Sequence, residues 1–146
     1  MPQAGIDTSV LFAAAYQRDD AHEAALPILH GIDAGRLPEA VVIDFVLAET
    51  LNGLGSLAGH DQAVDFLDRL EANARFHIDS LSREAFSRAK AVFRRFDPVS
   101  FVDACLVAYM QTEGLGYLYA FNDDFDSADD VYRLDTPMNP YEPESD

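Results

Sequence analysis

Apolar positions along this chain fall into two rhythms. Short runs rich in β-branched or aromatic residues read as strands, and longer stretches with apolar residues three or four apart read as helices. Strands are expected at Ala4–Asp7, Ala40–Ile43, Phe76–Asp79, Leu115–Phe121 and Val131–Leu134. Helices are expected from Thr8-Ser9, as a cap, to about Gln17, then Asp20–Asp33, Asp44–Ala58, Asp61–Ala74, Ser82–Arg95 and Ser100–Thr112. Pro27 either kinks the second helix or starts a new turn, and Gly35, Pro38 and Glu39 form a loop. Ser82 opens its helix in the manner of a capping box, although Glu84 stands one place early. Strands alternating with helices imply an α/β fold, with a central, mostly parallel sheet of four or five strands and helices on both faces. In such sheets ligands bind beyond the C-terminal strand ends.

Composition narrows the picture. The chain has 146 residues, 49% of them apolar, which suits one domain with a sizeable core. The expected division is a domain over residues 1–135 and an acidic, proline-rich tail over 136–146, on the surface or disordered. No apolar run approaches the roughly 18 residues a membrane span needs. The opening residues lack the regions of a signal peptide, so a cytoplasmic protein is expected. Cys105 is the one cysteine and reads as an inert core residue; the four histidines lack ligand spacing, and His77 reads as structural. Tyr109, Tyr117 and Tyr119 read as packing residues rather than base-stacking ones.

The charge is the unusual feature. Ten basic residues, nine of them Arg, against 26 acids give −16. Phosphate affinity normally comes from Lys and Arg, so this balance alone argues against nucleic-acid binding. Dispersed acids with a single Lys suit a salt-rich, halophilic cytoplasm, where screening is short-ranged. Charge therefore speaks to habitat before function. Arg94 and Arg95 could touch phosphates, but two cations at a helix C-terminus are explained by the dipole.

The placement of particular acids says more. Asp7 stands where the first strand meets a helix, and Glu49 interrupts the apolar helical stretch Val46–Leu51. Asp103 falls in the first turn of a strongly apolar helix, and Asn122, Asp123 and Asp124 follow the Tyr117–Phe121 strand directly. Each has a plain alternative. Asp103 could complement a helix dipole, Asp123, Asp124 and Asp126 could cap or turn, and Asp7 could be an N-cap. Glu49 is harder to dismiss, because an acid within an apolar helical face is rarely buried without a partner. Together they bring oxygen ligands to one end of the sheet, where gathered carboxylates need a cation or protons. Mg²⁺ or Mn²⁺ answers that need.

On Ile6–Leu11, Val46–Leu51, Phe101–Leu106 and Ala120–Phe125 the sequence resembles the PIN-domain family, and within it the VapC-type toxins. The likeness runs from about residue 5 to 135 in the family's order. It implies a three-layer PIN-like fold and a Mg²⁺- or Mn²⁺-dependent endoribonuclease that cuts structured RNA, a transfer or ribosomal RNA. It also implies neutralisation by a cognate antitoxin and a homodimer. Asp7, Glu49 and Asp103 correspond to the family's metal-binding acids, with Asn122 and Asp124 completing the ligand set, and Asp7, Glu49, Asp103 and Asp124 as the catalytic acids. The family ends its fourth strand with Thr-x-Asp. Here Ala120 replaces the hydroxyl and Asn122 the acid, and an amide keeps an oxygen ligand while losing charge and basicity. A competing reading is therefore a catalytically weakened PIN-like module that acts by binding protein. A phosphotransfer role for Asp7 is disfavoured, because Ser9 stands where a second acid is needed and Lys90 is the only lysine.

Overall fold

The structure is a computed structural model that describes residues 2–142. Five strands form one sheet in the order β3-β2-β1-β4-β5, and every pairing is parallel. The strands are β1 (Gln3–Ile6), β2 (Glu39–Ile43), β3 (Phe76–Asp79), β4 (Tyr117–Tyr119) and β5 (Tyr132–Leu134). Between them lie α1 (Thr8–Ala15), α2 (His22–Asp33), α3 (Asp44–Ala58), α4 (His60–Ala72), α5 (Arg83–Arg95) and α6 (Phe101–Glu113). A short 3-10 helix at Asp123–Ser127 links β4 to β5. Among the described residues no helix is long and apolar enough to cross a membrane.

Parallel strands covered on both faces have no wet side, so they carry continuous apolar runs. Residues Ala40 to Ile43 of β2 are all buried, as are Ala4 to Ile6 of β1. The chain moves from β1 outward through β2 to β3, then crosses back to β4 and β5 on the other side of β1. Right-handed crossovers then set α1 to α4 on one face and α5 with α6 on the other. Strand order reverses between β1 and β4, and that is where open α/β sheets leave a crevice.

Among the described residues α6 is the most enclosed helix: all eight residues from Asp103 to Met110 are buried. It packs closely over β1 because Gly5 has no side chain. A Cβ there would stand 3.3 Å from Met110 Sδ and 3.2 Å from Leu118 Cδ1. The first turn of α6, with Asp103, is thereby held against the centre of the sheet.

Several expected boundaries move. The first strand stops at Ile6, and Asp7, not Thr8 or Ser9, caps α1. Glu39, expected in a loop, belongs to β2, where it pairs with Gln3 and its carboxylate meets His77 Nε2 at 2.6 Å. β4 keeps only three of the seven residues expected. Pro27 stays inside a single α2. Ser82 caps α5 by accepting from Ala85 N at 3.0 Å, without Glu84 closing the box. Cys105 is fully buried, and burial pushes its thiol up to about 11. Tyr109 and Tyr119 are buried, their hydroxyls bonded to Asp79 and to Met138 O. Part of the tail folds back, with Asn139 Nδ2 donating to Arg36 O and Tyr141 OH to Gln3 O. Residues 143–146 of the expected tail lie outside the described residues.

Candidate metal and nuclease site

All five strands run into an acid or amide at or just past their C-terminal ends: Asp7, Asp44, Asp79, Asn122 and Asp135, the last of them 3.6 Å from the Arg133 guanidinium. Their oxygens have different fates. Asp44 accepts from Phe45 N and Leu81 N, and Asp79 from Ser80 N and Tyr109 OH. Both are engaged in holding local structure. Asp7 is only half engaged. Its Oδ2 accepts from Ser9 N at 3.2 Å and Ser9 Oγ at 2.8 Å, while its Oδ1 is buried and meets no donor. An unpaired buried carboxylate oxygen is costly, and most polar atoms in that position find a partner.

Ser9 does more than cap. Its hydroxyl also accepts from Phe121 N at 3.0 Å, and Asp7 N donates to Tyr119 O at 3.0 Å. The ends of β1 and β4 are thus laced together across the switch point, fixing Asp7 relative to Asn122. Asp103 enters from α6, whose cap Ser100 accepts from Asp103 N at 3.1 Å. Asn122 completes the bridge: its Oδ1 accepts from Asp124 N at 3.0 Å, and its Nδ2 donates to Asp103 Oδ2 at 3.4 Å.

The electrostatics tie these groups together. Burial raises the Asp7 carboxyl above its ordinary value, against the lowering effect of the Ser9 bonds, and the charge of Glu49 adds to the rise. Asp103 is raised to about 6, first by burial and then by the charge of Asp7, with Glu49 contributing further. Helix N-termini favour anions, and both acids stand at one. Desolvation and mutual repulsion outweigh that help.

Glu49 requires a correction. It was expected to be notable because it was buried in an apolar helical face, but it is exposed. The buried stripe of α3 is Val46, Thr50 and Leu54, one turn apart, and Glu49 falls beside it at the rim. Thr50 satisfies its own hydroxyl on Val46 O at 2.8 Å. Glu49 still reaches the cluster through its charge. Asp124 is half-buried on the 3-10 turn and is not among the charges that shift Asp7 or Asp103; its tie to them runs through Asn122. Sequence reasoning missed the Ser9 bridge, although Asp-Thr-Ser at a strand end was its signal.

The donor set suits a hard divalent cation: carboxylate and amide oxygens, one of them buried without a partner, in a field of like charge. Among the described residues no three Asp, Glu, His or Cys side chains stand close enough as they are to hold an ion between them. That is compatible with Mg²⁺, which keeps much of its water and takes one or two carboxylates rather than a closed protein cage.

A family model for the PIN domain matches residues 5–131. The chain belongs to the PIN-domain family. Solved structures agree with this PIN fold. VapC20 of Mycobacterium tuberculosis, a toxin that cleaves the sarcin–ricin loop, is 26% identical with a TM-score of 0.75, over 86% of this chain and 95% of its own. VapBC2 of Rickettsia felis, bound to promoter DNA, gives 0.67 at 15% identity, over 90% of this chain and 97% of the other. A toxin–antitoxin complex from Klebsiella pneumoniae gives 0.64 at 20% identity, over 93% and 98%. A search of curated proteins found no match.

Proposed function

We propose that this PIN domain is a Mg²⁺- or Mn²⁺-dependent endoribonuclease, the toxin of a type II toxin–antitoxin pair, acting on structured RNA in the cytoplasm. The observation that carries the reading is the buried, partnerless Oδ1 of Asp7 within the mutually repelling set Asp7, Glu49 and Asp103. A divalent ion held there supplies a Lewis acid for a phosphoryl oxygen and a counter-charge for the leaving alkoxide.

The protein's own contribution is placement. Ser9 fixes one oxygen of Asp7 and leaves the other free to ligate. Ser100 and the α6 N-terminus hold Asp103, and Asn122 turns its amide N–H toward that carboxylate. Glu49, at the rim, can exchange between solvent and ligand. Asn122 and Asp124 complete the proposed ligand set, and the catalytic acids are Asp7, Glu49, Asp103 and Asp124. The likeness to VapC20, and to structures solved with antitoxins, supports an RNA substrate such as ribosomal or transfer RNA and an antitoxin partner. A homodimer and a single domain over residues 1–135 belong to the same proposal.

One observation favours a second reading. Asn122 presents an N–H to Asp103 where an acid would add a ligand charge, as expected of a catalytically weakened PIN-like module acting through protein binding. Total RNA incubated with Mn²⁺, Mg²⁺ or EDTA separates the two, alongside Asp7→Asn and Asn122→Asp. Discrete fragments that require metal and disappear in Asp7→Asn support the nuclease. Cutting by Asn122→Asp alone supports the weakened module, and no cutting by any form sinks the nuclease reading.

A further inference from the structure

Half of the chain's basic residues lie on one helix. α5 carries Arg83, Arg88, Lys90, Arg94 and Arg95 against one acid, Glu84, in a protein of charge −16. Its buried face is Ala85, Ala89 and Val92. Arg83, Phe86, Lys90, Phe93 and Arg94 recur at three- and four-residue steps, and such residues share one flank of a helix. All five are exposed, Phe86 by 37% and Phe93 by 47%. Among the described residues none of the three cations on this flank forms an ion pair. Lys90 Nζ stands 5.2 Å from the centre of the Phe86 ring.

The flank is continuous with the acid cluster. Phe86 and Phe93 meet Phe101 edge-on at 5.8 and 5.6 Å, and Phe86 stacks on Phe45 at 6.0 Å. Phe101 opens α6 two residues before Asp103, and Phe45 lies one turn before Glu49 on α3. Exposed rings interleaved with unpaired cations limit what can cover them. A protein face would have to desolvate three cations, which is expensive without acidic partners. A second copy seated on this flank would bury the cations of both copies in the seam, where α5 itself offers a single acid, Glu84, to pair them. A polynucleotide satisfies both chemistries, with phosphates on the cations and base faces on the rings. A duplex hides its base faces, so the strand must be unpaired.

We propose that this flank of α5 binds an unpaired RNA segment beside the acid cluster, with its phosphates on Arg83, Lys90 and Arg94 and its bases on Phe86 and Phe93. This rests on the nuclease reading for its biological sense, but its test does not. A fluorescein-labelled single-stranded RNA, alone or annealed to its complement, is titrated with the full-length protein in EDTA and followed by anisotropy over a range of salt. The variants are Arg83→Gln/Lys90→Gln/Arg94→Gln, Phe93→Ala and a control, Arg18→Gln/Arg36→Gln. All change side chains outside the core, and circular dichroism verifies that each folds.

The triple variant is expected to bind single strands at least about tenfold more weakly. Its slope of log affinity on log salt should fall by about 2, since each single-strand phosphate contact contributes about 0.7. Phe93→Ala should weaken binding about tenfold while keeping the slope. The control and the duplex should show neither effect. Wild-type affinity in both α5 variants would overturn the proposal. So would a Phe93→Ala variant that dissociates a dimer in sedimentation yet binds RNA normally, which would make the flank an interface between copies. RNA held through α5 but never cut with metal would sink the nuclease reading and leave this one standing. Metal-dependent cutting unaffected by the α5 variants would do the reverse.

Discussion

Asp7 and Asp103 carry an energetic signature that the structural acids around them lack. Asp44 and Asp79 have both oxygens bonded, whereas Asp7 keeps one buried oxygen bare and Asp103 holds its proton to about 6. The consequence for stability has a definite sign. The folded carboxyl of Asp103 titrates near 6 and an ordinary one at 3.8. Between those values the folded state binds more protons, so stability falls as pH rises through the window. In EDTA, thermal melts of the wild type are predicted to show higher stability at the acid end of this window than above it. Asp103→Asn should remove much of that slope, although general relief of the −16 charge remains in both proteins. An unchanged slope in the variant would mean that Asp103 is not the group responsible. At this scale the sequence was a partial guide. Asp7 and Asp103 were legible because strand ends and helix starts can be located from hydrophobic pattern. Glu49 was misjudged, because hydropathy places it among apolar neighbours but cannot tell the rim of a stripe from its centre. The Ser9–Phe121 bond joins residues 112 apart, and local pattern contains no trace of it.

At the scale of elements, helix α3 brings Glu49 to the site and is steered by its neighbour α1. Gly53 faces the Phe12 ring of α1 closely: a Cβ there would stand 3.1 Å from Phe12 Cε2. Gly55, two residues on, has nothing within 4 Å. Helix propensity alone treats the two alike and favours alanine by about 1 kcal/mol at each. The packing does not. Gly55→Ala is predicted to raise stability by roughly 0.5–1 kcal/mol, whereas Gly53→Ala should gain nothing or lose stability as the Phe12 ring is displaced. Chemical denaturation of the two variants checks this, and equal stabilisation would show that α1 and α3 are less tightly packed than described. The elements themselves were mostly legible, including α3 and β3 to the residue. Strand ends were not, because a partner sets them. β4 is cut to Tyr117–Tyr119 by the three-residue β5 beside it, and Glu39 is drawn into β2 by Gln3.

For the whole molecule, a charge of −16 on a chain of this size is self-repulsion that salt relieves. The melting temperature is therefore predicted to rise between about 0.1 M and 1 M KCl, as the Debye length shrinks from about 10 to about 3 Å. A flat or falling melting temperature would mean that local pairs, not global repulsion, dominate the electrostatics. The acidity that seemed to exclude a nucleic-acid partner is unevenly spread, and α5 is the exception. Composition averages over a surface that the fold divides, so the sequence total could not reveal a basic flank next to the acids. The bare oxygen of Asp7 and its acidic neighbours are proposed to hold a divalent ion. Calorimetric titration of Mn²⁺ into metal-free wild type and Asp7→Asn, at a pH well above the Asp103 transition, tests it most directly. Saturable binding to the wild type, weakened at least about tenfold in Asp7→Asn (about 1.4 kcal/mol), is the predicted result. Equal affinity in both proteins, or no binding to the wild type, would contradict it.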